Sequence, residues 1–272
     1  MEYGKLAESI VASPIRAMMV KAAHMEDVVS FGVGEPDFIT DGCILKETAE
    51  HLSSCTKYAP GAGIDPLRER YIRYLNETIG SDYSMPETMV TSGGMAALYL
   101  AFFCLLNPGD EVLIPAPYFS NYGPMVAMCR GTVREIEVKE ENDFILSVED
   151  LRAAVTEKSR ILLLNSPCNP TGGLIDRESL QKIAEFAKEK DLFVFSDEVY
   201  RHLNFDSDEI FSIATLPGMK ERTLIIDSVS KSFAMTGFRV GFATGPVHLI
   251  ELMTKCVENV YSAVATPSQY AA

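Results

Sequence analysis

An α/β fold, with a mainly parallel seven-stranded sheet flanked by helices, is predicted by three features of this sequence. From about residue 88 onward, short β-branched or apolar runs alternate with longer amphipathic ones, the pattern of βαβ units. The 272 residues, 47% hydrophobic and 23% charged, have ordinary globular composition and can bury a sizeable core. The unusual polar residues stand just after the apolar runs, where the loops of a parallel sheet gather to bind ligands.

The expected strands are Thr88–Thr91, Glu111–Ile114, Thr132–Val138, Arg160–Asn165, Leu192–Ser196, Thr223–Asp227 and Val240–Thr244. Helices are expected over Met95–Leu106, Glu149–Val155, Arg177–Lys190 and Val247–Val260, with Asn107-Pro-Gly-Asp110 closing the first of them. Before residue 88 the pattern is less regular. Asp65–Ile79 reads as an amphipathic helix, whereas Ser30–Phe38 and Tyr58–Gly63 read as Gly/Pro-rich loops.

Composition excludes several function classes. A net charge of −14 argues against a nucleic-acid partner, which wants a basic surface. Six scattered cysteines without a C-x-x-C pair read as buried thiols in a reducing compartment, and four histidines show no metal spacing. No signal peptide is visible at the N-terminus. The longest apolar run, Ala96 to Leu106, falls short of the about 20 residues that span a bilayer. A cytoplasmic protein without membrane contact is the expectation.

Four segments carry chemistry. Asp227-Ser-Val-Ser-Lys-Ser-Phe-Ala-Met-Thr-Gly-Phe-Arg239 follows a strand and gathers Ser228, Ser230, Lys231 and Arg239. A lysine amine there could form a Schiff base with an aldehyde, and nearby positive charge lowers its pKa. The hydroxyls and the guanidinium suit a phosphate, although most single loop lysines are simply solvated. Ser92-Gly93-Gly94-Met95 opens an apolar helix, where glycines let backbone N–H groups approach an anion or merely make a tight turn. Asn165-Ser-Pro-Cys-Asn-Pro-Thr-Gly172 reads either as a turn or as a means of presenting Asn169. Asp197 emerges from a hydrophobic strand, so it must be paired or functional, and Tyr200 stands three residues on.

Together these segments resemble class I/II, aspartate-aminotransferase-like enzymes that use pyridoxal 5'-phosphate. The string Ser230-Lys-Ser-Phe-Ala-Met-Thr-Gly-Phe-Arg-Val-Gly241, together with NSPCNPTG and SDEVYRHLNFD (Ser196–Asp206), carries the likeness, which runs from about Ser30 onward. The resemblance implies the large domain of a fold-type-I transferase and transfer of an amino group between an amino acid and a 2-oxo acid. It implies Lys231 as the Schiff-base lysine and proton shuttle, and Asp197 as the partner of the pyridinium nitrogen. Asn169 and Tyr200 would hold the phenolic oxygen, while Arg239, Ser228, Ser230 and the Gly94–Met95 backbone would hold the phosphate. Phe119 would stack on the ring. Tyr58, in Lys57-Tyr-Ala-Pro-Gly61, would reach the phosphate of a neighbouring subunit, which makes a homodimer the expected state. Gly34, in Gly32-Val-Gly-Glu-Pro-Asp37, would contact the substrate carboxylate.

The expected organisation is an N-terminal segment over residues 1–40 and a cofactor-binding domain over 41–272. The family's small C-terminal domain, with the arginine that clamps the substrate α-carboxylate, is not expected in this sequence. Amino-group transfer is therefore weighed against a non-catalytic or regulatory product that retains the cofactor or the dimer surface. A related carbon–sulfur lyase is disfavoured because Tyr200 stands where that sister family carries a histidine. Ser228-x-x-Lys231 also matches the serine β-lactamase spacing, but SDN and KTG are missing. No arginine follows Arg239, so nothing in the sequence selects aspartate over other amino acids.

Overall fold

The computed structural model of the chain describes residues 2–11, 13–32, 34–205 and 210–272. Val33, in the Gly32–Asp37 motif, and Asp206, the last residue of the Ser196–Asp206 motif, lie outside them. In chain order the regular elements are α1 (Lys5–Ser9), α2 (Pro14–Ala22), α3 (Gly42–His51), α4 (Asp65–Ile79), β1 (Thr88–Thr91), α5 (Gly94–Leu105), β2 (Glu111–Ala116), α6 (Tyr122–Met128) and β3 (Thr132–Glu137). Then come α7 (Val148–Ala154), β4 (Ser159–Asn165), α8 (Arg177–Glu189), β5 (Phe193–Asp197), β6 (Thr223–Ser228), α9 (Val229–Ser232), β7 (Gly241–Thr244), α10 (Val247–Val260) and α11 (Thr266–Ala271).

The described residues form one seven-stranded sheet in the order β1-β7-β6-β5-β4-β2-β3. The β2–β3, β2–β4, β4–β5 and β5–β6 pairings are parallel. Strand β7 runs antiparallel to both its neighbours, β1 and β6. The mainly parallel α/β sheet is therefore as the sequence predicts, and the expected strands are found within about two residues of their ends. Helices α1, α2, α3, α6 and the short α9 are among those additional to the ones expected. Helices α1 and α3 bury no residue in this chain, so hydrophobic periodicity, which reports burial against a core, is weak there.

Burial on both faces explains why the strands read as continuous apolar runs. In β4, Ile161 and Leu163 face a cluster with Leu98, Ala101 and Phe102 of α5 and Met253 and Val257 of α10. The alternate residues Leu162 and Leu164 face Leu151 of α7 and Leu180, Ile183 and Phe186 of α8, as the two-residue period of a strand requires. A third cluster packs Tyr71 and Leu75 of α4 against Val90, Ile225 and Phe242. Local signals set the ends of these helices: the Asp176 side chain caps α8 by accepting from the Ser179 N–H at 2.8 Å. Gly80, at φ 69°, stops α4 in the left-handed conformation that glycine adopts freely. No helix among the described residues is long and apolar enough to cross a membrane.

Phe102 is fully buried, and its ring lies 4.9 Å from that of Phe195 across the helix–sheet interface. Phe102→Ala is expected to cost about 3–5 kcal/mol of unfolding free energy, read from urea denaturation. A loss below about 1 kcal/mol would show that α5 is not anchored there.

Candidate active site

The parallel register brings three strand ends side by side. Asn165 ends β4, Asp197 ends β5 and Ser228 ends β6, and Asn165 pairs directly with Asp197. At the same edge, the start of β7 meets the ends of β1 and β6, through Thr91↔Gly241 and Ser228↔Gly241. The loops that leave these ends carry most of the polar residues singled out by the sequence.

Gly93 takes φ 79° before α5 opens at Gly94. The first-turn amides of a helix have no intrahelical carbonyl to bond, so they point outward with the positive end of the helix dipole. A Cβ on Gly93 would fall 2.5 Å from Arg239 Nη2, so the guanidinium lies directly against this turn. Arg239 itself is in the left-handed region at φ 57°, and its Nη1 donates to the Thr236 carbonyl at 2.9 Å. Gly241 lets the strands approach: a Cβ there would lie 2.6 Å from the carbonyl carbon of Gly93 and 2.7 Å from the Gly94 nitrogen. Ser228 and Ser230 are buried beneath this turn. Ser228 Oγ lies 2.9 Å from both Ser230 Oγ and the Val240 carbonyl, and it accepts from the Ser230 N–H at 3.1 Å. Helix-start amides, two buried hydroxyls and a guanidinium give this corner the groups of an anion cradle within an acidic protein.

Across the cleft, Asp197 is 5% exposed. Its Oδ2 accepts from the Tyr122 hydroxyl at 2.6 Å, and its backbone carbonyl accepts from Asn165 Nδ2 at 2.9 Å. Burial pushes the carboxyl up to about 6, against the Tyr122 hydrogen bond, which pulls it down; the charges of Asp227 and Glu198 push it further up. Asn165 Oδ1 also accepts from the Asn169 N–H at 2.8 Å, and Asn169 Nδ2 donates to the Tyr200 hydroxyl at 3.2 Å. Phe119 is half-buried and packs edge-on to Tyr122, with ring centroids 5.5 Å apart.

Lys231, on the short helix α9, reaches into the same space and lies 5.9 Å from the centroid of the Tyr200 ring. Burial lowers its pKa, Glu35 opposes that and Arg239 reinforces it. Its ammonium donates to the Gly34 carbonyl. The strand of chain around Gly34 is fastened beside it, with Thr236 Oγ1 donating to Glu35 Oε1 at 3.0 Å and Thr40 Oγ1 to the Ala234 carbonyl at 2.6 Å.

Lys231, Asp197, Asn169, Tyr200, Ser228, Ser230, Arg239, Gly94, Met95, Phe119 and Gly34 thus converge around the strand ends. Tyr58 does not join them, being 91% exposed. Sequence reasoning missed Tyr122 and the bridging role of Asn165. A tyrosine among the apolar residues of Tyr122–Met128 was the available signal, because a buried phenol needs a hydrogen-bond partner.

An anion cradle, a buried acid and an amine of lowered pKa thus stand together at the strand ends of an α/β sheet, the edge where enzymes of this architecture bind their ligands. The sequence profile of the aminotransferase class I and II family matches residues 26–272, and the chain belongs to that family. It is 43% identical over 263 residues to the aspartate aminotransferase of Pyrococcus abyssi, covering 96% of this chain and 67% of that protein. It is 39% identical over 268 residues to aromatic-amino-acid aminotransferase 2 of Thermococcus litoralis, covering 97% and 69%. The solved structure of the Thermus thermophilus aspartate aminotransferase with maleate superposes with a TM-score of 0.96 at 35% identity, covering all of this chain and 72% of that one. Amino-group transfer is the activity class of the chain.

Two outcomes test the geometry. Tyr122→Phe removes a hydrogen bond that favours the ionised Asp197, so its pKa is expected to rise above about 6. A carboxyl with a raised folded-state pKa binds its proton more tightly folded than unfolded, so stability falls as pH rises from 3.8, its ordinary value, to about 6. That loss, about 3 kcal/mol at 1.4 kcal/mol per unit, should extend to higher pH in Tyr122→Phe and vanish in Asp197→Asn when unfolding is followed by urea across pH 4–8. Superimposable profiles for wild type and Tyr122→Phe would sink the assignment. Gly241→Ala must displace the Gly93–Gly94 backbone, so it should lower the melting temperature and weaken binding of inorganic phosphate or phosphorylated ligands. Unchanged values for both would contradict the close approach.

Proposed function

We propose that this site holds pyridoxal 5'-phosphate and moves an amino group between an amino acid and a 2-oxo acid. The observation that carries the reading is the alignment of a buried carboxylate, an Asn–Tyr hydrogen-bonded pair, a lysine of lowered pKa and an anion cradle around adjacent strand ends. The chemistry of the residues gathered here fits that group. Asp197 would accept from the ring nitrogen and keep it protonated, with Tyr122 holding the carboxylate ionised. Asn169 and Tyr200 would donate to the phenolic oxygen. Ser228, Ser230, Arg239 and the Gly94–Met95 amides would take the phosphate, and Phe119 would cover a ring face. Bound there, the cofactor supplies an aldehyde that captures amines and a ring that withdraws electrons from the substrate α-carbon.

Lys231 does the proton work. Burial favours its neutral form, so a larger fraction of the amine is available near neutral pH to take the α-proton and return it. The Gly34 carbonyl, already within reach of that amine, borders the space a substrate would enter, and the Gly34 backbone would contact the substrate carboxylate. The substrates we propose are of the aspartate or aromatic type, following the activities of the relatives. A second copy of the chain would complete the site by bringing Tyr58 to the phosphate, giving a homodimer. The segment 1–40 would act as an arm to the cofactor-binding domain 41–272, in a cytoplasmic protein.

Purified protein loaded with pyridoxal phosphate and desalted should retain a visible absorption band that Lys231→Ala abolishes. Aspartate or an aromatic amino acid should bleach the band, and a 2-oxo acid should restore it. Failure of wild-type protein to retain any cofactor would refute the proposal.

A further inference from the structure

Behind the strand ends lies a buried ionic cluster with no part in the chemistry above. Arg201 is 3% exposed, and its Nη2 stands 3.1 Å from Glu198 Oε2 and 3.4 Å from Asp227 Oδ2. Each carboxylate is held in turn. Glu198 Oε1 accepts from the hydroxyls of Ser196 at 2.7 Å and Ser212 at 2.6 Å. Asp227 Oδ1 accepts from the Ser228 N–H at 2.7 Å, and its Oδ2 accepts from the Tyr71 hydroxyl of α4 at 3.3 Å. The Tyr71 ring stacks flat on Phe242 of β7, centroids 3.6 Å apart.

Such a cluster is a poor way to stabilise a core. Desolvating three charges is costly for each ion, and well-packed apolar side chains in their place are often neutral or stabilising. Its use must lie in geometry, and its connections indicate which geometry. Glu198 and Arg201 flank Val199 and Tyr200 on the turn that leaves Asp197. Asp227 is followed at once by Ser228, with Ser230 and Lys231 close behind. The guanidinium therefore spans the gap between the part of the site that would hold the ring and the part that would hold the phosphate and carry the amine.

We infer that Arg201 is a positioning residue, which bridges Glu198 to Asp227 and so locks the Asp197–Tyr200 turn in register with the Ser228–Lys231 segment. The inference rests on the pyridoxal-phosphate reading above, because that group must touch both parts at once. The charged and titratable groups facing the guanidinium are Glu198 from its own turn, Asp227 from β6, and Tyr71 and Tyr74 from α4. His202, beside it and in contact with the Tyr74 hydroxyl, has its pKa lowered by burial and by Arg201. Burial pushes Glu198 up while Arg201 pulls it down, so loss of the guanidinium would leave Glu198 and Asp227 buried without the cation between them.

The test compares wild type, Arg201→Met and the triple variant Glu198→Gln/Arg201→Met/Asp227→Asn, which removes the buried charge imbalance along with the bridge. Each is titrated with pyridoxal phosphate for its dissociation constant and for the pH midpoint of the visible band, with circular dichroism and thermal melting as the measure of folding. The expected result is a triple variant folded as well as wild type, with affinity weakened at least about tenfold and a displaced pH midpoint. Arg201→Met should show the same binding defect together with a lower melting temperature. A folded triple variant with wild-type affinity and wild-type midpoint would reduce Arg201 to a structural residue and overturn the inference. Wild-type protein that forms no Lys231-dependent band would overturn both this inference and the cofactor reading.

Discussion

A carboxylate buried at the end of a central strand is the constraint on which the rest of the site depends. Asp197 has lost nearly all of its water, and desolvation alone would drive it to the neutral acid. The Tyr122 hydroxyl keeps ionisation within reach, and Asn165 fixes the backbone that presents the side chain. These partners come from β4 and α6, so the charge state of one acid depends on how several parts of the sheet and its helices pack. A ring nitrogen that must stay protonated would find its partner ready-made, at no reorganisation cost during reaction.

The opposite corner solves the inverse problem, gathering positive potential in a chain of net charge −14. It does so mainly through the backbone: a helix start, a left-handed glycine, and a β7 that passes within van der Waals distance of that turn because residue 241 has no side chain. Arg239 and two buried hydroxyls complete the cradle. Lys231 lies between the two corners, where burial weakens its hold on a proton. The site thus separates a region that favours anions from one that holds an acid, and it sets an amine between them. That separation is what amino-group transfer through a phosphorylated, protonated ring requires.

Much of this was legible in the sequence. The strands were found because apolar side chains on both faces leave uninterrupted hydrophobic runs such as Ile161–Leu164. Asp197 stood out because an acid emerging from such a run is costly without a partner, whereas Lys231, Asn169, Tyr200 and Arg239 were picked out by the resemblance of their motifs to class I/II aminotransferases. The antiparallel direction of β7 left no trace, since a two-residue period is the same in either direction. Helix α6 was hidden by its brevity, and Tyr122 with it. The hydrogen bond from Tyr122 joins residues 75 positions apart. Tyr71, Arg201 and Asp227 are likewise far apart along the chain, and each reads locally as an ordinary helix, turn or strand residue.

The sequence by itself determined the α/β class and the positions of the strands, because hydrophobic pattern is a local property, and it named candidate groups for chemistry through the resemblance that its motifs carry. Only the tertiary structure decided the strand order, the approach of Gly241 to the Gly93–Gly94 turn, the Tyr122 bond that counters the burial of Asp197, and the bridge from Arg201 to two carboxylates. Each of these is a distance between residues that the chain separates, and packing alone brings them together.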